Sequence, residues 1–570
     1  MADIIKRIKT TIQTVTVTLL LATGICLLYN FFALFFPIST QLEADGAEHL
    51  HAVYLLSIGQ KPYLDFIQNH PMLFHHLLAW VEKHFQIDSI RHLAMVGRIV
   101  IFGHFMLCLA VFCLWTSRVL KNRPKTIAWA AMLTAAWAML DIYNTDYYLA
   151  WNLRPDFICY GQTLLGLYLI YLWIARPSEA KNRWAFILAM VGGCLVGFGN
   201  SVLPKGIPFI AAFALTILAQ CLISSRAAFL SRLSRKHLKE LSIIGMAIIL
   251  SFLAGMILDC RLSNVPVRSW IHAVFLLNSK KHIIFTNIDN SPVTHIIGFF
   301  SFSLPLAFAL IVWIIWELAT FNRSDCFQNG QSSVWLFSIF TILVNITLPT
   351  YSNGVTWSYY YIPCLFAAAA ICLLLLLRFR DFYNSQLFEG PLSIPGAGAI
   401  ILGFLIGIQI LNTPIQSSLE LTSRRASARE VANTNLPDFV NDEILPKHFV
   451  YLGYPNQMPI KARNWGYYFM LARSTHFWKD CYSLGLGPDP QESWGKGFGG
   501  NPPDAITFTT PGEVSDLMFM VRNCQNIDIS WLPDKIRERY VLMKRPRASL
   551  YIRKDHVADL ESQGWHEVTR

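Results

Sequence analysis

Charged side chains are scarce in this chain. Asp, Glu, Lys and Arg make up 15% of its 570 residues, where a soluble protein carries about a quarter. With 54% hydrophobic and 14% aromatic residues and a mean hydropathy of +0.40, the shortage excludes an ordinary soluble globule. Several signatures are also missing. There is no CxxC pair and no HExxH, so neither common zinc framework is present. There is no Walker sequence, no glycine fingerprint for a dinucleotide and no internal repeat. Residues 414–570 hold no N-x-S/T acceptor, which favours a bacterial envelope over a eukaryotic lumen.

What the chain does have is long apolar runs. They fall near 13–37, 92–116, 126–143, 156–175, 184–203, 206–223, 241–258, 293–316, 334–350, 358–377 and 394–413. Each matches the roughly 17–25 residues a helix needs to cross about 30 Å of hydrocarbon. The expectation is a polytopic α-helical membrane protein of eleven spans. The first run is too long for the hydrophobic part of a signal peptide, about 7–15 residues, and reads as an uncleaved anchor. With the N-terminus inside, the loops on its side hold 18 Lys and Arg and the opposite loops nine. That is the bias of cytoplasmic loops, and it places residues 38–91 and the C-terminal segment outside.

The net charge of +11 could suggest nucleic acid, but residues 414–570 carry 19 Lys and Arg against 18 Asp and Glu. The excess lies in the membrane half, where orientation explains it, so nucleic acid is set aside as a partner. Two domains are expected: a transmembrane part over 1–413 and a small α/β or α+β soluble part over 414–570. Strands are expected at Phe449–Tyr454, Ala505–Thr509, Tyr540–Lys544 and Ser549–Arg553, the last two as a hairpin across Pro546. A helix is expected to begin at Pro511. Most of the twelve cysteines lie in apolar runs, where Cys acts as a small hydrophobe. Cys481 and Cys524 face outward and either pair in an oxidising compartment or stay free.

The first outer loop concentrates ionisable groups beside the membrane: Asp45, Glu48, His49, His51, Asp65, His70, His75 and His76. Such groups are expensive at a membrane edge, so the cluster is read as a site. Asp45, Glu48 and His49 are spaced i, i+3, i+4 and share one helix face. Two amphipathic juxtamembrane helices are expected, GAEHLHAVYLLSI and MLFHHLLAWVEKHF, each with one face in the headgroups and a polar face up.

These residues resemble a family. The pattern Asp45, His49, His51, Ala52, then Gly59, Gln60, Pro62, Tyr63, Asp65, Phe66, then His70, Pro71, Leu73 resembles the first loop of GT-C glycosyltransferases. It is most similar to bacterial members related to protein O-mannosyltransferases and to the aminoarabinose transferase of lipid A. The likeness continues through Arg98, Arg154-Pro155-Asp156, Lys205 in LPKG, and Tyr359–Tyr361. It covers the chain well to about residue 220 and the rest by architecture only. It implies transfer of a sugar from a polyprenyl-phosphate donor at the outer face, with an aspartate of the first loop as base. The pattern departs at Gly46, where many relatives carry a second acid; Glu48 or Asp156 is then the second carboxylate.

Glycosyl transfer to a hydroxyl needs a base for the acceptor proton and a group that stabilises the departing phosphate. The expected catalytic pair is Asp45 as base with Asp156 as partner. Lys205, Arg154 and Arg98 are expected on the donor phosphate. Glu48, His49, His51, Asp65, His70 and Tyr361 are expected on substrate. Plain alternatives stand beside each role: Asp45 and Asp156 as helix caps, Lys205 and Arg154 as snorkelling cations, Arg98 as a fold-holding partner of Asp156, the histidines as headgroup ligands. No cofactor is certain; a divalent cation held by Asp45 and Asp156 is the remaining reading. The expected enzyme is an inverting hexosyl- or pentosyltransferase of the bacterial inner membrane, its C-terminal domain periplasmic. Its acceptor would be a cell-envelope glycan, lipid A or a protein. The competing function is a transporter or flippase for a lipid-linked saccharide. Against that, transporters keep their charges near mid-bilayer in broken helices and show repeats.

Overall fold

The computed structural model describes residues 44–66, 68, 70–119, 153–176, 181–223, 235–277, 336–345, 367, 445–452, 459–464, 502–507, 534–545 and 548–568. These are mostly helical. In chain order the helices are α1 (Ala44–Ser57), α2 (Leu73–His84), α3 (Ile90–Val119), α4 (Asp156–Ile174), α5 (Arg183–Val202), α6 (Ile207–Ile223), α7 (Arg235–Ser263) and the short α8 (Val267–Ile271). Among the described residues, four stretches are long and apolar enough to cross a membrane: Ile90–Cys108, Asp156–Ile174, Arg183–Val202 and His237–Ser263. Shorter apolar helices occupy Pro204–Gln220 and Leu336–Asn345. All six coincide with expected spans. Those at 13–37, 126–143, 293–316 and 394–413, and all of 358–377 except residue 367, lie outside the described residues, so the count of eleven rests on the sequence.

Lipid offers no hydrophobic force between helices, so small residues that let backbones approach do the packing. A Cβ on Gly166 would meet the Gly192 carbonyl, and one on Gly192 would meet the Gly166 carbonyl 2.6 Å away, which joins α4 to α5. On the other side of α5, Gly193 faces Ile244, Gly197 faces Ile248 and Ser251, and Ser201 faces Gly255. Rising numbers on both helices mean that α5 and α7 run parallel. The start of α4, the end of α5, the start of α6 and the end of α7 therefore lie at one end of the bundle. Gly97 near the start of α3 presses on Leu78 of α2 and on Leu153, which brings α2 to the same end.

Of the two loop helices expected to be amphipathic, α1 differs. From Gly46 to Val53, α1 is buried on every side. Ala52 and Leu55 join Tyr63, Phe66, Met72, Met256, Cys260, Val265 and Trp270 in one core, so apolar packing against α7 and α8 draws the helix inward. α2 is two-faced: Leu73, Phe74, His75 and Leu78 are buried, while Leu77 and Trp80 are exposed. Asp259, fully buried near the end of α7, fixes the start of α2. Its carboxylate accepts from the Met72 N–H at 2.9 Å and from the Trp270 indole at 2.7 Å. A carboxylate there also suits the helix dipole.

Short strands of the C-terminal part form one six-stranded mixed sheet. They are β1 (Val450–Leu452), β2 (Arg463–Asn464), β3 (Ala505–Ile506), β4 (Tyr540–Arg545), β5 (Ala548–Arg553) and β6 (His566–Glu567), in spatial order β2-β1-β3-β5-β4-β6. β1 is parallel to β2 and β3, and the remaining pairs are antiparallel. β4 and β5 pair antiparallel from Tyr540–Arg553 to Arg545–Ala548, as expected of a hairpin, and Pro546 itself lies outside the described residues. Asp504 ties the sheet centre, accepting from the Val450 N–H at 2.9 Å and pairing with Arg553 at 3.1 Å. The helix expected from Pro511, and Cys481 and Cys524, lie outside the described residues.

The glycine seam carries a direct test. Gly197→Ala drives a methyl into the Ile248 carbonyl and the Ser251 hydroxyl, whereas Gly245 on the same pair of helices has nothing within 4 Å. Gly197→Ala is expected to cost about 1–3 kcal/mol as overpacking, and Gly245→Ala to be neutral or mildly stabilising. Thermal unfolding in detergent reads both; equal midpoints would contradict the close approach of α5 and α7.

Candidate functional site

The site is assembled where α4 begins and α5 passes into α6. Arg154 and Pro155 precede α4, and Asp156 is its first residue, so an acid sits in the first turn, where the dipole favours it. α5 ends at Leu203 in an extended conformation, followed by a single 3-10 turn over Pro204–Gly206. Gly206 is required for that turn: a Cβ would lie 2.5 Å from the Thr163 hydroxyl and 2.9 Å from the Asn200 amide. Asn200 bonds Thr163 at 3.1 Å and so ties α5 to α4 beneath the turn. Pressed against this seam, the turn carries Lys205 over the start of α4.

Lys205 Nζ lies 2.6 Å from Asp156 Oδ1, and Arg154 Nε lies 3.2 Å from Oδ2. Arg154 and Asp156 are buried, and Lys205 nearly so. Two cations face one carboxylate in a region of low dielectric, where charges are stable only when paired and hydrogen-bonded. Thus the three residues expected separately at the outer rim form one ionic unit.

α1 and α2 bring histidines beside it. His49 Nδ1 lies 2.7 Å from His75 Nε2, and the His70 ring centroid is 5.8 Å from that of His49. His75 Nδ1 is buried with no hydrogen-bond partner among the described residues. An unmet acceptor is tolerated better than an unmet N–H. The favoured tautomers therefore have His75 donating through Nε2 to His49 Nδ1. Burial, and then the Arg154 charge, push the His49 pKa down from 6.5 to about 3. His75 is lowered too, by burial and then by its histidine neighbours. Both rings are neutral at ordinary pH and add no positive charge next to Arg154 and Lys205.

The remaining expected residues divide. Glu48 is buried and accepts from the Gln68 amide at 3.4 Å; Gln68 also accepts from the His70 N–H at 3.3 Å. Asp45 is the second residue of α1, one turn before His49; its side chain lies outside the described residues, as does Tyr361. Arg98 is buried on α3, while Asp156 takes its ion pairs from Arg154 and Lys205. Asp65 is exposed and accepts from the Lys61 N–H at 2.7 Å, which closes a turn. His51 points away from the cluster, to the Ile460 carbonyl at 2.9 Å. Among the described residues no group of three His, Cys, Asp or Glu is arranged to hold a metal ion. Sequence reasoning allowed for the approach of His49 to His75 and missed Asp259. A lone acid in the last turn of the apolar run 241–258 and its extension was the available signal for the latter.

No protein-family profile matches the chain, and no curated protein matches it. Among solved structures it is similar to ArnT from Cupriavidus metallidurans bound to undecaprenyl phosphate, at 14% identity and a TM-score of 0.49. The alignment covers 85% of this chain and 93% of that one. The apo state of the same protein aligns over the same shares at 12% identity and a TM-score of 0.49.

The buried histidines set an acid limit. Unfolded, each ring titrates near 6.5; folded, His49 stays neutral to about 3 and His51 to about 4. The unfolded chain therefore takes up protons first as pH falls, and stability present above pH ~6.5 declines towards pH ~4. By about pH 5 the loss is on the order of 2 kcal/mol per ring. Unfolding midpoints in detergent should fall between about pH 7.5 and pH 5, less steeply in His49→Gln. A midpoint that ignores pH would overturn the neutral-histidine assignment.

Proposed function

We propose that the chain is an integral-membrane glycosyltransferase that moves one sugar from a polyprenyl-phosphate donor to an acceptor hydroxyl. One observation carries the reading. Ionisable residues far apart in sequence, His49, His75, Arg154, Asp156 and Lys205, converge at one end of a bundle of membrane-length helices. A lipid-linked phosphate presents its head at that level while its tail stays in hydrocarbon.

The chemistry assigned to the site is a single displacement with inversion. The acceptor oxygen attacks the anomeric carbon as the bond from that carbon to the phosphate oxygen breaks. Asp45 takes the acceptor proton, from the first turn of α1 and on the same face as His49. The bond electrons leave with the polyprenyl phosphate, and Lys205 and Arg154 meet the charge that develops there. Asp156 holds both cations in place and is a positioning residue in this scheme. Neutral His49 and His75 leave the positive potential of the pair undiminished and unaugmented. Glu48 and His70 line the acceptor side, and Tyr361 is assigned to the sugar. A divalent cation takes no step: Asp156, expected as one of its ligands, already has Lys205 at 2.6 Å and Arg154 at 3.2 Å. Two cations at that range repel a third. The finer assignments belong to the same proposal: an outward-facing site, a bacterial inner membrane, a periplasmic C-terminal domain from about residue 414, and a glycan, lipid A or protein acceptor.

Purified protein given synthetic polyprenyl-phosphate sugars and candidate acceptors should release polyprenyl phosphate and form glycosylated product. Asp45→Asn should lower turnover by about 10²-fold or more with donor binding retained, the scale of a lost general base. Lys205→Met should weaken donor binding. Full turnover by Asp45→Asn would remove the base assignment. Movement of the donor across vesicles without product would replace the transferase with a flippase.

A further inference from the structure

The C-terminal part does more than lie beyond the bundle: one short segment reaches back onto the first loop. Residues 459–464 lead into β2, the edge strand of the sheet. Ile460 and Ala462 are buried, and the Ile460 carbonyl accepts from His51 Nδ1 at 2.9 Å. Between them, Lys461 Nζ lies 2.8 Å from Glu82 Oε1 near the end of α2 and 3.2 Å from the Asp88 carbonyl. The other Glu82 oxygen is buried with no hydrogen-bond partner among the described residues. Lys461 is therefore the cation that these residues offer to a largely buried carboxylate.

The placement on α1 gives these contacts a mechanical meaning. His49 and His51 are two residues apart, about 200° around a helix. One side of α1 thus meets His75 and the Arg154–Asp156–Lys205 unit, while the opposite side meets residues 459–464. Ala52 and Leu55 are held by the core shared with α7 and α8. α1 has a support on each side, and residues 459–464 provide the one that does not come from the bundle.

We propose that residues 459–464 are a positioning strap for the reaction centre. By seating Ile460 on His51 and Lys461 on Glu82, the strap fixes the rotation of α1 and the lean of α2 against the ionic unit. His51 is then a positioning residue for transfer, acting through α1 on Asp45 and His49. This rests on the proposed glycosyl-transfer site, yet its structural half stands on its own contacts. A strap of this kind acts on the rate of the chemical step. It leaves the hold on the donor phosphate, made by Arg154 and Lys205 on other elements, nearly unchanged.

A charge exchange tests it. Lys461→Glu, Glu82→Lys and the double exchange are each compared with wild type by amide hydrogen exchange in α1 and by transfer kinetics. Each single change should speed exchange in α1 and lower kcat by about 10-fold or more with donor KM within about twofold, the scale of a remote misplacement. The double exchange should restore both readouts towards wild type. Single variants with wild-type exchange and kcat overturn the strap, and so does a double variant no better than the singles. If the charge reversals do not fold, Lys461→Met and His51→Phe replace them, with the same expected loss in kcat and gain in α1 exchange. Wild-type protein without transfer would sink the glycosyltransferase reading, while α1 exchange in the variants would still decide the strap.

Discussion

The architecture depends on one buried carboxylate. Asp156 stands at the first turn of α4 with Lys205 at 2.6 Å and Arg154 at 3.2 Å. Taking such ions from water costs several kcal/mol each, and removing one partner from a buried pair costs about 3–5 kcal/mol. The unit is therefore tolerated only when all three members stay in place. That requirement reaches outward: Lys205 depends on the 3-10 turn, the turn depends on Gly206, and Gly206 depends on the seam between Thr163 and Asn200. A carboxylate at a helix start thus fixes how α4, α5 and α6 meet.

A second carboxylate solves a different problem. Asp259 takes hydrogen bonds from the Met72 N–H, the Trp270 indole and the Ser263 hydroxyl, at 2.9, 2.7 and 3.4 Å. One donor belongs to the first loop, one to α8 and one to its own helix. Hydrogen bonds to a charged group contribute roughly 1.5–3 kcal/mol each, enough to hold the start of α2 against α7 and α8. Asp156 organises the cations; Asp259 organises the loop that faces them. The glycine seams that join α4 to α5 and α5 to α7 bring Asp156 and Asp259 to the same end of the bundle.

Most of the helical spans that can be compared were legible because hydrocarbon thickness imposes a length and a composition that few other constraints mimic. The boundaries of α4 and α5 fall within a residue or two of the apolar runs. Strands of the C-terminal part were legible where β-branched and aromatic residues cluster, as at Tyr540–Arg545 and Ala548–Arg553. The depth of α1 was not. Its alternation of His, Leu, Ala and acid looks amphipathic, and only the presence of α7 on one side and residues 459–464 on another makes burial favourable. The site was legible as a list and not as a geometry. Arg154, Asp156 and Lys205 carried a visible signal as ions beside apolar runs, but that two of them spend charge on the third depends on a turn that no local pattern encodes. His75 was legible as a member of the first-loop histidine cluster able to approach His49, and the structure brings the two rings together.

The neutral histidines explain why so many rings gather near two cations without repelling them. A protonated imidazole beside Arg154 would raise the charge that must be held out of water; a neutral one supplies a hydrogen bond and a surface at no electrostatic cost. Burial enforces that state, since α1 is enclosed on all sides between Gly46 and Val53. The enclosure that removes charge from His49 therefore also keeps Arg154 and Lys205 as the dominant field at the site. With Asp156 paired to both cations, the three-residue unit keeps one net positive charge. Packing, protonation and electrostatics here are one constraint: loosening α1 would hydrate the rings, allow them to charge, and disturb the ionic unit beside it.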